Sequence, residues 1–198
     1  IIIPVYNSED YIEKTFNSLL KQTFGFSNLE VIFVDDCSTD KSPEIIDKYS
    51  EEYENVASYH LEENNGFPGK PRNKGIRESR SDYIMFLDSD DCFSEDACET
   101  LYDEMEKDRE LDLVLAGYTN IYPDWRVLSQ VPKGFRGIYP DGKIINNVPK
   151  NTPRVSICTN PSKDFELLSL PLTHGSKLFK KDFLIENDMA TDITGAYK

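Results

Sequence analysis

Five apolar residues, Tyr83 to Leu87, run without interruption straight into Asp88-Ser89-Asp90-Asp91. A run this apolar has no solvent-facing side, so it specifies a central strand covered on both faces, as in parallel sheets flanked by helices. Such a sheet collects ligands outside the carboxyl ends of its strands, which puts Asp88, Ser89, Asp90 and Asp91 where a ligand belongs. Carboxylates this close repel one another unless something positive lies between them. A divalent cation bridging to a phosphate meets that need, because Mg²⁺ is held by one or two carboxylates plus substrate phosphates. The same residues also suit an acidic turn ahead of the helix that Ser94-Glu95-Asp96 would open, since acids favour helix N-termini.

The preceding chain repeats this pattern. Ile1 to Val5 is β-branched and broken by Pro4, reading as a buried strand that hands over to Tyr6, Asn7 and Ser8. Asn7 or Ser8 is placed to cap a helix with Glu9 and Asp10 in its first turn and Ile12, Phe16, Leu19 and Leu20 on one face. Leu29 to Val34 forms a second strand that runs into Asp35 and Asp36. Ser42 before Pro43 starts a second helix, with Ile45, Ile46, Tyr49 and Tyr53 as its stripe. Val56 to Leu61 is a third strand. Strand and helix in alternation give an α/β fold with a mostly parallel central sheet flanked by helices.

Between the third strand and the aspartate run lies a glycine- and proline-rich loop, residues 62 to 75. Five of the 22 basic residues, Lys70, Arg72, Lys74, Arg77 and Arg80, fall within eleven positions from the end of this loop onward. Pro71 reads as the first residue of a short helix whose N-terminus, with Arg72 beside it, faces an anion. Acid on one strand end and base on the neighbouring loop converge if a phosphate-bearing ligand lies between them; a solvated basic helix is the plainer alternative. After the aspartates, Ala97, Cys98, Leu101 and Met105 mark a helix, and Leu111 to Ala116 a strand. Beyond Gly117 the chain breaks into short alternating pieces between prolines and glycines. Phe165 to Leu170 reads as helical, His174 to Phe179 as a strand and Lys180 to Glu186 as a short helix.

The 198 residues suffice for one domain with a sizeable core. With 36 acidic and 22 basic residues the net charge is −14, which argues against non-specific binding of nucleic acid or anionic lipid. Cys37, Cys92, Cys98 and Cys158 follow no C-x-x-C spacing, so reduced thiols of a cytosolic protein are expected. No apolar run reaches the roughly 18 to 20 residues of a membrane span, and no leader pattern is present. A start inside an apolar run at Ile1 and an end at Lys198 suggest a domain taken from a longer protein.

Four segments in order, Ile3 to Asn7, Val34 to Asp40, Asn64 to Gly75 and Phe86 to Asp91, resemble the family 2 glycosyltransferases in wording and spacing. A looser likeness continues through Gly175 to Lys181. The resemblance implies a Rossmann-like GT-A fold. Residues 1–117 would be the nucleotide-sugar-binding half, and 118–198 an irregular, truncated acceptor-side part of the same domain. It also implies an inverting transferase that uses a nucleotide-diphosphate sugar, with UDP the expected nucleotide, and Mn²⁺ or Mg²⁺. By position, Pro4 and Tyr6 would pack around the nucleobase, Asp35 would accept a hydrogen bond from it, and Asn64 and Arg72 would lie on the base, ribose or diphosphate side. Asp88-Ser89-Asp90 matches the D-x-D signature, with Asp90 as metal ligand and Asp88 on the ribose or metal-bound water.

The family's catalytic base usually follows a segment like Lys177 to Lys181, which leaves Asp192 as the candidate. His174 is a candidate for the acceptor side, although a structural histidine suits the position as well. The loop from Gly66 to Asn73 is similar to members acting on teichoic acid and capsular polysaccharide. The acceptor implied is a polysaccharide, a teichoic-acid-like polymer or a lipid-linked glycan, and the place of work the inner face of the cell membrane, with peripheral attachment through other regions. Two rivals stand beside this reading. A sugar-phosphate nucleotidyltransferase should show a glycine-rich loop where Pro4 to Asn7 stands, and a non-catalytic nucleotide-sugar or polymer-binding module would lack a base.

Overall fold

Strand β1 (Ile2–Val5) pairs in parallel with β2 (Val31–Asp35), and β2 in parallel with β3 (Val56–His60). The computed structural model describes residues 1–64, 66–114 and 177–185, together with the backbone of Leu115, Glu186 and short strands within 118–158. On the other side of β1, the strand β4 (Tyr83–Met85) continues into Phe86, which bridges in parallel to Ile2, and the Leu87 N–H donates to the Ile2 carbonyl at 3.1 Å. Next come β5 (Leu113–Leu115) and the short strands β6 (Tyr118–Ile121), β7 (Val127–Gln130), β8 (Gly137–Ile138), β9 (Ile144–Ile145) and β10 (Ser156–Cys158). The last strand, β11 (Lys177–Lys180), inserts antiparallel to both β4 and β5. The order across the sheet is therefore β3-β2-β1-β4-β11-β5, with β10, β8 and β9 continuing it and β6 and β7 paired separately.

Helices cover both faces, which is why the strands read as unbroken apolar runs. Helices α1 (Ile12–Leu20) and α2 (Ser42–Glu52) supply Ile12, Phe16, Leu19 and Ile46 to one core with Ile3, Val5, Val31 and Phe33, and α4 (Ala97–Lys107) adds Cys98, Leu101 and Met105. Alternate residues of the same strands, Ile2, Ile32 and Val34, face Ile76 of α3 (Gly69–Glu78) and Phe183 and Leu184 of α5 (Lys181–Glu186). Phe16, 1% exposed, stacks on Tyr49 with ring centroids 4.0 Å apart. Burial of each such side chain stabilises the fold by about 1.5–3 kcal/mol. At Gly75 a Cβ would overlap the Ile2 side chain, so this glycine lets α3 lie directly on β1.

Local departures from the sequence reading have physical causes. Helix α1 starts at Ile12 rather than after Asn7 or Ser8, because Asn7 is left-handed (φ 47°) and both polar side chains bond outside the helix. Leu20 is 37% exposed and lies off the apolar face. Helix α3 begins at Gly69, two residues before Pro71; proline fits there since an N–H in the first turn has no intrahelical acceptor. The regular part of β4 ends at Met85, and only a single bridge carries the pairing to Phe86.

Glu30, at the start of β2, clamps the turn between α3 and β4. Its carboxylate accepts from the Ser79 and Ser81 hydroxyls, each at 2.9 Å, and from Arg80 Nε at 3.0 Å. Burial alone would raise its pKa; the bonds from Arg80, Ser81 and Ser79 outweigh that and hold it at about 2. A carboxylate depressed in the folded state adds stability that is complete above its unfolded pKa and lost as pH falls through about 2. Glu30→Gln should therefore lower stability by about 1–3 kcal/mol at neutral pH. Urea unfolding of the two proteins should give midpoints that converge on acidification.

Candidate functional site

Leaving β1, the chain passes through α1 to β2 on one side; leaving β3, it returns through α3 to β4 on the other. The two excursions part between β1 and β4, and in an open α/β sheet a crevice forms outside the strand ends at such a switch point. A cleft of about 380 Å³ lies there, lined by Pro4, Tyr6, Asp36, Phe67, Asp88 and Asp90 among others. Three large aromatics stand exposed on it, Tyr6 at 50%, Tyr11 at 53% and Phe67 at 63%. Their flat faces suit stacking against a planar ligand.

Hydrogen bonds between loops fix the rim. The Asp36 N–H donates to the Val5 carbonyl at 2.8 Å, continuing the β1–β2 pairing to the tips. Asn7 Oδ1 accepts from the Thr39 N–H at 2.8 Å, and the Ser8 N–H donates to Ser42 Oγ at 2.8 Å. Ser8 Oγ also meets Ser89 Oγ at 2.7 Å, which ties the first strand tip to the aspartate loop. From beneath, the hydroxyl of Thr15, 1% exposed, is shared between the Ser89 and Asp91 carbonyls, both at 2.8 Å. The loop is thus held by α1, while Asp90 and Asp91 stay exposed. Partial burial, then the charges of Asp90 and Asp88, push the Asp91 carboxyl pKa up.

Behind this loop lies Arg72, 4% exposed on α3. Its guanidinium donates through Nη2 to Asp88 Oδ1 and stands over the Phe86 ring, 5.7 Å from the centroid. Among the described residues its buried Nε has no hydrogen-bond partner. Asn64 folds onto the second strand tip: Nδ2 donates to the Asp36 carbonyl at 3.0 Å and Oδ1 accepts from the Gly66 N–H at 2.7 Å. Asp35, 2% exposed, accepts from the Ser38 N–H and faces His60, whose Nδ1 is 3.4 Å from Asp35 Oδ2 and whose Nε2 is 3.0 Å from Asp47 Oδ1. Burial works to lower the His60 pKa, but its bonds to Asp47 and Asp35 prevail and raise it.

Pro4, Tyr6, Asp88, Ser89 and Asp90 thus line the cleft; Arg72 and Asn64 stand behind that lining, bonded to Asp88 and to the Asp36 carbonyl, whereas the Asp35 side chain turns to Ser38 and His60. Asp192 and His174 lie outside the described residues, as does the 165–170 segment. Asp36 and Phe67 line the cleft although the sequence did not single them out as ligands. The exposed Phe67 beside glycines and prolines was a usable signal; Thr15, a lone threonine in an apolar helix face, offered none. Cys37, Cys92 and Cys98 are free thiols. Among the described residues no three metal-ligating side chains converge, and no helix is long and apolar enough to cross a membrane. The hard carboxylate oxygens of Asp88 and Asp90 on the cleft fit a Mg²⁺- or Mn²⁺-type ion completed by phosphate oxygens from a ligand.

Comparison with known proteins places this geometry in context. The model of the family described as "Glycosyl transferase family 2" matches residues 1–163. The poly(ribitol-phosphate) β-glucosyltransferase of Bacillus spizizenii is 41% identical over 121 residues, 61% of this chain and 19% of that protein. The poly(ribitol-phosphate) β-N-acetylglucosaminyltransferase TarS of Staphylococcus aureus is 45% identical over 103 residues, 52% of this chain and 17% of its own. The chain therefore matches less than a fifth of the length of either. The crystal structure of an S. aureus TarS fragment in complex with UDP-GlcNAc superposes with a TM-score of 0.67 at 28% identity, covering 94% of this chain and 46% of the fragment.

Proposed function

The chain belongs to glycosyl transferase family 2, and from that premise we propose that it transfers a sugar from a UDP-sugar to a teichoic-acid-type polymer or related surface glycan, with inversion at the anomeric carbon. The observation that carries the proposal is the meeting of three segments at one switch point: the β1 tip with Pro4 and Tyr6, the Asp88 to Asp91 loop, and Arg72 on α3. The names of the relatives, which act on poly(ribitol-phosphate), and the TarS complex with UDP-GlcNAc support the choice of donor and acceptor.

In this reading Tyr6 and Pro4 hold the base, with Asp35, Asp36 and Asn64 fixing its edge and the ribose. Arg72 braces Asp88 and offers positive charge to the diphosphate as the bond from its oxygen to the sugar breaks. Asp90, with Asp88, would hold Mn²⁺ or Mg²⁺, which supplies Lewis-acid stabilisation of the leaving nucleoside diphosphate. The acceptor hydroxyl oxygen bonds to the anomeric carbon from the opposite face and gives its proton to a carboxylate, for which Asp192 is the candidate. Residues 118–198 would contribute the acceptor side. The place of work would be the cytoplasmic face of the membrane, with any peripheral attachment made by other parts of the protein.

The test is release of UDP from a panel of UDP-sugars by the full-length protein with Mn²⁺ or Mg²⁺, with and without poly(ribitol-phosphate). Acceptor-dependent release with at least one donor is expected. UDP binding without turnover of any donor would favour the non-catalytic module instead.

A further inference from the structure

Lys177 is half-buried, and the roles above leave it unused. Lys177 opens β11, which runs antiparallel to β4, so its first residue lies at the strand end where the aspartate loop begins. The pairing of Leu178 with Met85 sets Lys177 beside Phe86, on the sheet face that also carries Ile84 and Phe179. Arg72 stands over that same Phe86 ring and reaches Asp88 from there. Among the described residues no carboxylate pairs with Lys177. Two cationic residues therefore stand beside Phe86, Arg72 over its ring and Lys177 next to it in the sheet; Asp88 is bonded to the arginine, whose buried Nε has no acceptor among the described residues. An ammonium group left half-buried beside a guanidinium is costly unless an anion joins them.

We propose that Lys177 is a donor-binding residue that, together with Arg72, receives the diphosphate of the nucleotide-sugar on the side of the site away from Asp90. The assignment rests on the donor reading given above and adds a residue to it. An ammonium is a point charge with rotatable donors, suited to following phosphate oxygens as charge builds on them, whereas the Arg72 fork is fixed by Asp88 and Phe86. Burial, and after it the Arg72 charge, lower the Lys177 pKa to about 8, so the group is charged at neutral pH yet close to losing its proton.

The experiment is calorimetric titration of UDP and of uridine into the full-length protein, comparing wild type with Lys177→Met and Lys177→Arg. Lys177→Met keeps the apolar stem and removes the charge. It should weaken UDP by at least about 10-fold and leave uridine unchanged, since a hydrogen bond to a charged group is worth that much. Wild-type affinity for UDP should fall as pH rises through about 8, and that fall should be absent in Lys177→Arg. A Lys177→Met protein that keeps the wild-type preference for UDP over uridine overturns the assignment while leaving the donor reading standing. Wild type binding neither ligand overturns both.

Discussion

Asp90→Ala should abolish metal-dependent binding of UDP and lower the rate of transfer by about 10²- to 10³-fold, the scale of several kcal/mol of leaving-group stabilisation. The side chain is exposed, so its removal should move stability by no more than about 0.5 kcal/mol. Loss of its charge should also let Asp91 ionise more readily, since burial and then the Asp90 and Asp88 charges raise the Asp91 pKa. The measurement is UDP titration with and without Mn²⁺, beside thermal unfolding. An unfolded variant is not expected because the loop is held by Ser8 and Thr15, neither of which touches the Asp90 carboxylate. Full retention of metal-dependent affinity would remove Asp90 from the metal's reach.

Arg72→Lys should weaken UDP by about 10- to 100-fold and leave uridine unchanged. Charge is conserved in this substitution; what disappears is the planar fork that reaches Asp88 while lying over Phe86. The Asp88 side chain is 40% exposed, so water can replace the lost partner, and the cost to stability should stay at about 1–3 kcal/mol. Equal losses for UDP and uridine would mean that Arg72 only supports the loop and does not meet the phosphates. The shared setting of Arg72 and Lys177 predicts that their effects on UDP affinity are not additive.

The strand ends were legible in the sequence because each apolar run stops at a polar cluster, and a buried strand can stop only where water or a ligand takes over. That reading located Pro4, Tyr6, Asp88, Ser89 and Asp90 on one cleft. By position the resemblance named Asp35 for the base, although the adjacent Asp36 sends its side chain the opposite way from the strand. The cleft wall carries Asp36, while Asp35 turns to Ser38 and His60. Thr15 was illegible because its partners, the Ser89 and Asp91 carbonyls, are more than seventy positions away. Lys177 was visible only as a word in a motif. Its meaning depends on β11 inserting between β4 and β5, a long-range pairing that no local pattern announces. The start of α1 was misplaced by a few residues, since the side chains of Asn7 and Ser8 bond to Thr39, Tyr6 and Ser89 instead of capping a helix.

A crystal structure of the protein with UDP and Mn²⁺ puts the central claim to the most direct trial. The account predicts uracil against Tyr6 and Pro4 near the second strand tip, the ion on Asp90, and the diphosphate between that ion and Arg72. Nucleotide density away from the β1–β4 crevice, or an ion held without Asp90 or Asp88, would contradict it.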